Sequence, residues 1–177
     1  MSWYLPQPNP QHQVTWELVR EFNALSNTDP ARARELLRLM FPNSENPPDI
    51  WAPLHLELGV NTSFGEGCYM NFNCTILDIA PVTVGARTLF GPGCQLITVG
   101  HPVDDHAKRA EGWEIAHPIT IGDDCWFGAG AMVMPGVSVG DRCVVAAGSV
   151  VTRDIPSGSM AAGVPAVVKR ALPPSPF

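Results

Sequence analysis

Apolar side chains recur every six residues between Ile121 and Ile155. The residue after each apolar anchor is usually small, and a second small or apolar residue stands four positions after the anchor. A six-residue period is neither the 3.6-residue period of an amphipathic helix nor the alternation of a half-buried strand. It is typical of a parallel β-helix, in which each hexapeptide supplies one short strand and one corner that lets the chain bend at the small residues. The anchors are Ile121, Phe127, Val133, Val139, Val145 and Val151.

The same spacing extends toward the N-terminus, with a two-residue offset near Ala80 and Pro81. Between Gly100 and Pro118 the spacing is lost, and the chain becomes polar and charged. A long insertion into a solenoid that does not need one is usually functional. We therefore predict an all-β fold, a parallel β-helix over residues 51–170 with an excursion loop at 100–118. The earlier anchors are Leu58, Phe64, Met70, Ile76, Val84, Phe90 and Leu96, so the first coil is expected to begin near Leu58.

Residues 1–50 predict an N-terminal extension and a short helical cap over one end of the β-helix. Apolar residues have helical spacing from Thr15 to Leu25, and Asp29 followed by Pro30 is a typical start for a second helix over residues 31–41. After the last repeat, the sequence AAGVPAVVKR (161–170) predicts one final strand. Residues 171–177 predict a flexible tail.

Composition and charge restrict the partners. The 177 residues carry a formal net charge of −6, which argues against nucleic acid or an acidic membrane surface as the main partner. No apolar run is long enough to span a membrane, and the first residues lack the basic and apolar regions of a signal peptide. A cytoplasmic location is therefore the expectation.

The five cysteines follow the repeat. Each stands four residues after an anchor, where other repeats have Ala, Thr, Ser or Val. No C-x-x-C pair is present, and free cysteine behaves as a small buried hydrophobe. The cysteines are therefore predicted to be structural thiols: Cys68, Cys74, Cys94, Cys125 and Cys143.

His101 opens the excursion loop, where a rigid coil could hold an imidazole against an incoming group. Histidine changes its protonation near neutral pH and often acts as a general base. For this residue taken alone, a solvated surface histidine is the simpler interpretation.

Four segments resemble the maltose and galactoside O-acetyltransferases: NFNCTILD (71–78), GHPVDDHAKRAEG (100–112), PITIGDDCWFGAGAMVMPGVSVGD (118–141) and GSVVTRDIPSGSMAAGVPA (148–166). Those enzymes belong to the hexapeptide-repeat acyltransferases, which are trimers of left-handed β-helices that use acetyl-CoA. The resemblance implies a left-handed helix and a homotrimer with active sites between neighbouring subunits. It also implies an acetyl-CoA-dependent O-acetyltransferase that acts on a small sugar-like or other alcohol acceptor.

The resemblance further implies roles for individual residues. His101 would take the proton from the acceptor hydroxyl as the hydroxyl attacks the acetyl thioester in a ternary complex, without an acyl-enzyme. Asn71 would hold the acceptor hydroxyl and the tetrahedral intermediate, although asparagine at such a position can also simply stabilise a turn. Tyr69 and Asp78 match acceptor-pocket positions. Asp78 would orient the imidazole or bind a sugar hydroxyl, and its alternative is a solvated turn carboxylate.

Acetyl-CoA, the expected co-substrate, would lie along one edge of the β-helix. The resemblance implies that the backbone N–H of Ala129 faces the thioester carbonyl, that Ala147 bonds the pantetheine arm and that Trp126 flanks the acyl donor. Thr152 and Arg153 are expected along the same edge. The phosphates would meet a C-terminal basic pair, Lys169 and Arg170. No metal is expected.

The resemblance is incomplete at the acceptor. The family's acidic and basic contacts near the N-terminus have no clear counterpart in residues 1–13, Ile79 replaces an acidic residue, and Glu57 replaces a hydroxyl. No particular sugar is therefore predicted. Two alternatives stay open. One is a zinc enzyme like the γ-class carbonic anhydrases, in which His101 and His106 would need a third protein ligand. The other is a non-catalytic β-helix scaffold.

Overall fold

The computed structural model describes residues 3–174, which form two helices packed on a β-helix of short strands. The helices are α1 (Pro10–Leu25), α2 (Pro30–Met40) and, within the excursion, α3 (His106–Ala110). The strands are β1 (Asp49–Ile50), β2 (Leu54–Leu56), β3 (Thr62–Phe64), β4 (Tyr69–Met70), β5 (Cys74–Leu77), β6 (Val82–Val84), β7 (Leu89–Phe90), β8 (Gln95–Ile97), β9 (Val99–Gly100), β10 (Ile115–Ala116), β11 (Ile119–Ile121), β12 (Trp126–Phe127), β13 (Met132–Val133), β14 (Ser138–Val139), β15 (Val144–Val145), β16 (Val150–Val151), β17 (Ser159–Gly163) and β18 (Ala166–Ala171).

Three parallel sheets form the three faces of the coil. The first face runs β1-β4-β7-β12-β15-β17 and is extended by β18, the second runs β2-β5-β8-β13-β16, and the third runs β3-β6-β11-β14. We call the turn from the first face to the second the first corner, that from the second to the third the second corner, and that from the third to the first the third corner. The predicted β-helix with a helical cap and one long excursion is confirmed.

The interior is filled by the predicted anchors, which stack in register from coil to coil. On the first face Met70, Phe90 and Phe127 lie above one another, and the rings of Phe90 and Phe127 stack with their centroids 4.9 Å apart. All five cysteines are buried and free, and the thiols of Cys68 and Cys125 donate to the carbonyl groups of the next coil. The prediction that the cysteines are structural is therefore confirmed.

The small residue after each anchor does not make the bend that was predicted for it. At Gly128 an added Cβ would lie 2.5 Å from the amide nitrogen of Ala147, so the small residue allows neighbouring coils to stack closely. The chain instead bends three residues after the anchor, where φ is positive, as at Gly130 (68°) and even at Asp124 (57°). Asparagine, aspartate and glycine tolerate this conformation best.

The β-helix begins earlier than predicted. Its first strand is Asp49–Ile50, and the inward partner of Ile76 is Leu56 rather than Leu58. Leu58 is buried but lies beyond β2, in the second corner. The spacing from Leu56 to Phe64 is eight residues, as it is from Ile76 to Val84, because the second corner of the first two coils contains two extra residues.

The helical cap packs on the first coils through both apolar and polar contacts. α1 begins at Pro10, not Thr15, because the side chain of Asn9 accepts from the Gln11 amide and caps the helix. The hydroxyl of Thr15 donates to the Leu58 carbonyl at 2.7 Å. Asn23 bonds both the N–H and the C=O of Leu54, at 2.8 and 2.9 Å. These bonds satisfy the backbone of the first coil, which has no coil below it.

The C-terminal segment is a hairpin rather than one strand. β17 and β18 pair antiparallel around the turn at Val164 and Pro165. The first two residues of the predicted flexible tail have regular structure. Ala171 is the last residue of β18, and the Leu172 amide donates to the Gly158 carbonyl at 2.6 Å. Residues 175–177 of that predicted tail lie outside the described residues.

Candidate active site

The excursion is a structured arm rather than an open loop. It leaves the second corner as the antiparallel pair β9–β10, with Gly100 opposite Ile115. Asp105 caps α3 by accepting from the Lys108 amide at 3.0 Å, and Arg109 donates to the carbonyl groups of Pro102 and Val103. These contacts fix the backbone on both sides of His101.

His101 is held in one tautomer. Its Nδ1 atom lies 2.9 Å from the carbonyl oxygen of Trp113, across the arm. A carbonyl can only accept, so Nδ1 carries the proton, and in the neutral ring Nε2 has a free lone pair. The imidazole is exposed. An exposed, oriented imidazole with Nε2 unprotonated is the arrangement that a general base requires.

The first corner presents free backbone donors. Ala129 and Ala147 occupy equivalent positions there, and both are exposed. In residues 3–174 neither amide N–H donates a hydrogen bond. The third corner differs, because a side chain of the next coil accepts from the equivalent amide in three successive coils: Asp123 from Ala86 (2.8 Å), Asp141 from Asp123 (2.9 Å) and Ser157 from Asp141 (3.0 Å). The first corner is thus an edge with short side chains and open donors, which would suit one wall of a groove for an amide-rich extended ligand.

Asn71 lies on the same corner, at its lower end. The side-chain Oδ1 of Asn71 accepts a hydrogen bond from the Phe72 amide at 2.8 Å, and the backbone N–H of Asn71 donates to the Phe90 carbonyl at 2.9 Å. The side-chain NH₂ makes no hydrogen bond within the described part of the chain. The bond to Phe72 fixes the amide plane and leaves these two donors for a ligand.

Tyr69 and Trp126 lie on one outward-facing ladder of the first face. Tyr69 pairs with Leu89, and Leu89 pairs with Trp126, whose side chain is 54% exposed. The ladder continues upward through Val144 and Met160 to Arg170. The aromatic positions and the basic pair Lys169–Arg170 therefore flank the first corner on one side.

Asp78 is a structural residue in this chain. It is fully buried in the second corner. Its oxygen atoms accept from the amides of Leu58 and Gly59, at 2.9 and 3.1 Å, and from the Thr62 hydroxyl at 2.9 Å. These bonds hold the eight-residue corner of the coil below, so Asp78 belongs to a turn, as its alternative expected, but its carboxylate is buried rather than solvated.

Thr152 and Arg153 do not share an edge with Ala129 and Ala147, contrary to the prediction. They follow β16 and lie at the second corner, on the far side of the second face. His101 also belongs to that corner. The predicted site residues therefore fall into two groups within one chain, separated by a strand of the second face, or about 15 Å. No contact joins His101 to Asn71 in the described residues.

The structure adds a polar cluster that sequence reasoning missed. Tyr4 pairs with Glu114 of the arm through both backbone hydrogen bonds, at 2.9 and 2.8 Å, and its hydroxyl donates to Glu114 Oε2 at 3.1 Å. Burial raises the pKa of Tyr4 to about 12, and the bond to Glu114 adds to this effect. His12 approaches Glu57, with Nε2 3.6 Å from Oε1. The only sequence signal was that these N-terminal residues lacked a counterpart in the family.

Potential metal ligands and cysteine thiols are the other groups of chemical interest in the described residues. Among residues 3–174 no group of three His, Cys, Asp or Glu side chains converges to hold a metal. Burial raises the pKa of Cys125 to about 11 and also raises that of Cys68, so these thiols remain protonated and are poor nucleophiles. No helix in this part of the chain is long and apolar enough to cross a membrane.

Sequence and structure comparisons with known proteins identify relatives of this β-helix. Residues 118–153 match the family described as the hexapeptide repeat of succinyl-transferase. The galactoside O-acetyltransferase of Lactococcus lactis is 36% identical over 176 residues, which cover 95% of this chain and 84% of that protein. The chain belongs to the hexapeptide-repeat acetyltransferases.

Two further relatives extend the comparison. Nodulation protein L of Rhizobium meliloti is 52% identical over 117 residues, which cover 66% of this chain but only 63% of that protein. The solved structure of a galactoside acetyltransferase in complex with coenzyme A has a TM-score of 0.91 and 34% identity, and the match covers 97% of this chain and 87% of that one. The left-handed β-helix that the resemblance implied is confirmed.

Proposed function

We propose that this protein is an O-acetyltransferase that moves acetyl from acetyl-CoA to a hydroxyl group of a small sugar-like or other alcohol acceptor. The observation that carries the proposal is the hydrogen bond from His101 Nδ1 to the Trp113 carbonyl, which leaves Nε2 as a base. A hydroxyl nucleophile needs such a base at neutral pH, and direct transfer needs no protein nucleophile.

The proposed step is a direct displacement in a ternary complex. The acceptor oxygen attacks the thioester carbonyl carbon while its proton passes to His101 Nε2. The tetrahedral intermediate then collapses, the C–S bond breaks, and His101 returns the proton to the thiolate of CoA. The side-chain NH₂ of Asn71 and the N–H of Ala129 are the neutral donors suited to the developing oxyanion.

Acetyl-CoA would lie in the groove of the first corner. The free N–H of Ala147 suits a carbonyl of the pantetheine arm, and Trp126 offers an exposed indole beside the groove. Lys169 and Arg170 would meet the phosphates, since both are exposed on β18 next to the first face. Thr152 and Arg153 would contribute from the second corner, and Tyr69 would contact the acceptor. Asp78 would support the acceptor wall from behind.

The two groups of residues would meet only between subunits, so we include a homotrimer in the proposal. If the second faces of three copies surrounded a threefold axis, the first corner of one copy would meet the second corner of its neighbour. His101 of one subunit would then face Asn71 and Ala129 of the next. Side-chain character supports this packing, because the outward ladder of the third face is entirely polar (Ser63, Thr83, Thr120 and Ser138). The second face pairs Leu77 with Ile97 on one ladder, and its other outward ladder is polar in the lower coils (His55, Thr75 and Gln95) and apolar in the upper ones (Met132 and Val150).

Two experiments test the proposed function. Calorimetric titration with acetyl-CoA and CoA is expected to give saturable micromolar binding, and a panel of sugars and alcohols is expected to produce acceptor-dependent release of CoA. The proposed location in the cytoplasm would suit such a cytosolic co-substrate. Absence of acetyl-CoA binding in a correctly folded sample would overturn the proposal.

A further inference from the structure

A cleft of about 510 Å³ lies between α1 and the second face, outside the groove proposed for acetyl-CoA. Trp16 and Arg20 line it from α1, and His55, Glu57 and Leu77 line it from the β-helix. It combines a carboxylate, an exposed indole and apolar walls, which is the composition of a site for a small polar ligand.

Glu57 has one carboxylate oxygen without a partner. Oε1 lies 3.6 Å from His12 Nε2, whereas Oε2 is buried and has no hydrogen bond among residues 3–174. A buried charged oxygen without a donor is costly, and a rotation of the Glu57 side chain toward the cleft would let a ligand supply that donor.

The electrostatic surroundings of Glu57 favour a cation. Burial raises the pKa of Glu57, and the negative charges of Asp78 and Glu114 raise it further, against the opposing effect of His12. A cationic group at Oε2 would stabilise the carboxylate against all three of these effects. An anionic ligand would be repelled by them.

Trp16 adds an aromatic surface to the same end of the cleft. Its side chain is 60% exposed, and the ring of His12 stacks on it with the centroids 5.6 Å apart. An indole face attracts ammonium groups and packs on the apolar side of a sugar ring. Arg20 lies one helical turn beyond Trp16 on α1 and adds a positive charge to the cleft on the side away from His12.

The acidic end of the cleft is connected to His101 through a short series of contacts. Tyr4 bonds Glu114 and is affected by the charge of Glu57. Glu114 follows Trp113, whose carbonyl oxygen holds His101 Nδ1. A ligand anchored at Glu57 would therefore lie on the side of the β-helix that carries the excursion arm.

We propose that Glu57 is a specificity-determining residue that selects hydroxyl acceptors carrying an ammonium group, with amino sugars as the class that fits the cleft. Oε2 accepts a hydrogen bond from the ammonium group, and the Trp16 indole packs against the ring. This inference rests on the proposed O-acetyltransferase activity. It adds to that activity a preference based on the acceptor's charge.

The test compares glucosamine, N-acetylglucosamine and glucose, which differ only at C2, with glucuronate, which has glucose's C2 hydroxyl but a carboxylate in place of the C6 hydroxymethyl group. CoA release gives kcat/KM for each, and mild alkali followed by mass spectrometry separates O-acetyl from N-acetyl products. For the wild type, kcat/KM is expected to be greatest for glucosamine and least for glucuronate. Glu57→Gln is expected to lower the ratio of kcat/KM for glucosamine to that for glucose by about 10- to 100-fold, the usual effect of losing a charge-assisted hydrogen bond.

Glu66→Gln is the matched control, because Glu66 is exposed at the third corner, and it is expected to leave the ratio unchanged. Equal kcat/KM for glucosamine and glucose in the wild type would overturn the inference without any variant. So would an unchanged ratio in a folded Glu57→Gln protein. Failure to bind acetyl-CoA, in contrast, would overturn the proposed function itself.

Discussion

His101 Nδ1 and the carbonyl oxygen of Trp113 are 2.9 Å apart and join the two sides of the excursion arm. Since the acceptor in this bond is backbone, the orientation of the imidazole does not depend on the identity of the side chain at position 113. The bond instead depends on the hairpin β9–β10, which sets the distance between the two residues. The proposed base is therefore positioned by the fold of the arm.

His101→Ala is expected to lower kcat by about 10²–10⁴-fold, because acetyl transfer would lose its general base while acetyl-CoA binding is retained. The measurement is the steady-state rate of CoA release together with calorimetry for acetyl-CoA. His106→Ala is the control, since His106 is exposed on the same arm and makes no proposed contact. Near-normal turnover of His101→Ala would remove His101 from the mechanism. Loss of activity in both variants would instead favour metal binding by the arm.

Mixed oligomers of two inactive variants are expected to recover activity, because His101 and Asn71 lie at different corners of one chain. Co-expressed His101→Ala and Asn71→Ala subunits would form some interfaces with both wild-type groups, about a quarter of all sites by random assortment. Activity after co-expression is compared with that of the separately purified variants mixed without exchange. No recovery in confirmed mixed trimers would show that each site is built from one chain.

Ala129→Leu is expected to raise the KM for acetyl-CoA at least about tenfold, because a bulky side chain would fill the groove where the free N–H lies. The melting temperature is expected to change little, since Ala129 is exposed. Ala31→Leu, at an exposed position of α2, is the matched control. An unchanged KM for acetyl-CoA in Ala129→Leu would place the co-substrate elsewhere.

Arg170→Ala is expected to raise the KM for acetyl-CoA about tenfold with little effect on kcat, because the phosphates lie far from the reacting carbonyl. The effect should decrease when 3′-dephospho-CoA thioesters replace acetyl-CoA, if Arg170 meets the 3′-phosphate. Arg38→Ala, on the exposed side of α2, is the control. Equal KM values for Arg170→Ala and the wild type would contradict the phosphate contact.

Glu57→Gln is expected to stabilise the protein at neutral and alkaline pH when no acceptor is bound. Because burial raises the pKa of Glu57, the folded state binds the proton more tightly than the unfolded chain does. The resulting stability is present in acid, below the ordinary glutamate value, and is lost as the pH rises through the raised folded value. At pH 8 the Tm of Glu57→Gln is therefore expected to be higher than that of the wild type.

This gain in Tm should disappear below about pH 4, where glutamate is protonated in both states. Thermal unfolding of wild type, Glu57→Gln and Glu66→Gln at several pH values provides the measurement. A gain that is independent of pH would show that charge is not its cause.

The sequence predicted the coil interior well, because each inward position requires the same property, an apolar side chain of limited volume. It predicted the start of the β-helix poorly. Leu58 has the right chemical character and is buried, but the extra residues of the second corner shift the inward position to Leu56. A periodicity argument cannot detect such an offset at the end of the series, where no earlier coil sets the register.

The candidate site was predicted residue by residue from the resemblance, but its arrangement was not. Thr152 and Arg153 were placed on the wrong edge because sequence spacing does not show which corner a residue occupies. Asp78 was assigned to the acceptor because its burial and its bonds to Leu58, Gly59 and Thr62 cannot be read from its neighbours in sequence. The cluster of Tyr4, His12, Glu57 and Glu114 depends on contacts between segments that are up to 110 residues apart.

The second corner has an additional consequence for how such a chain can change. It holds two extra residues in each of the first two coils and the whole excursion arm in the third, while the strands on either side stay in register. Length can therefore be added there without disturbing the stack, because each strand pairs only with the strands directly above and below it. The first corner has no such freedom, since its free amides must keep a fixed spacing. Acceptor recognition can thus vary by insertion and deletion, whereas the groove proposed for acetyl-CoA can vary only by substitution.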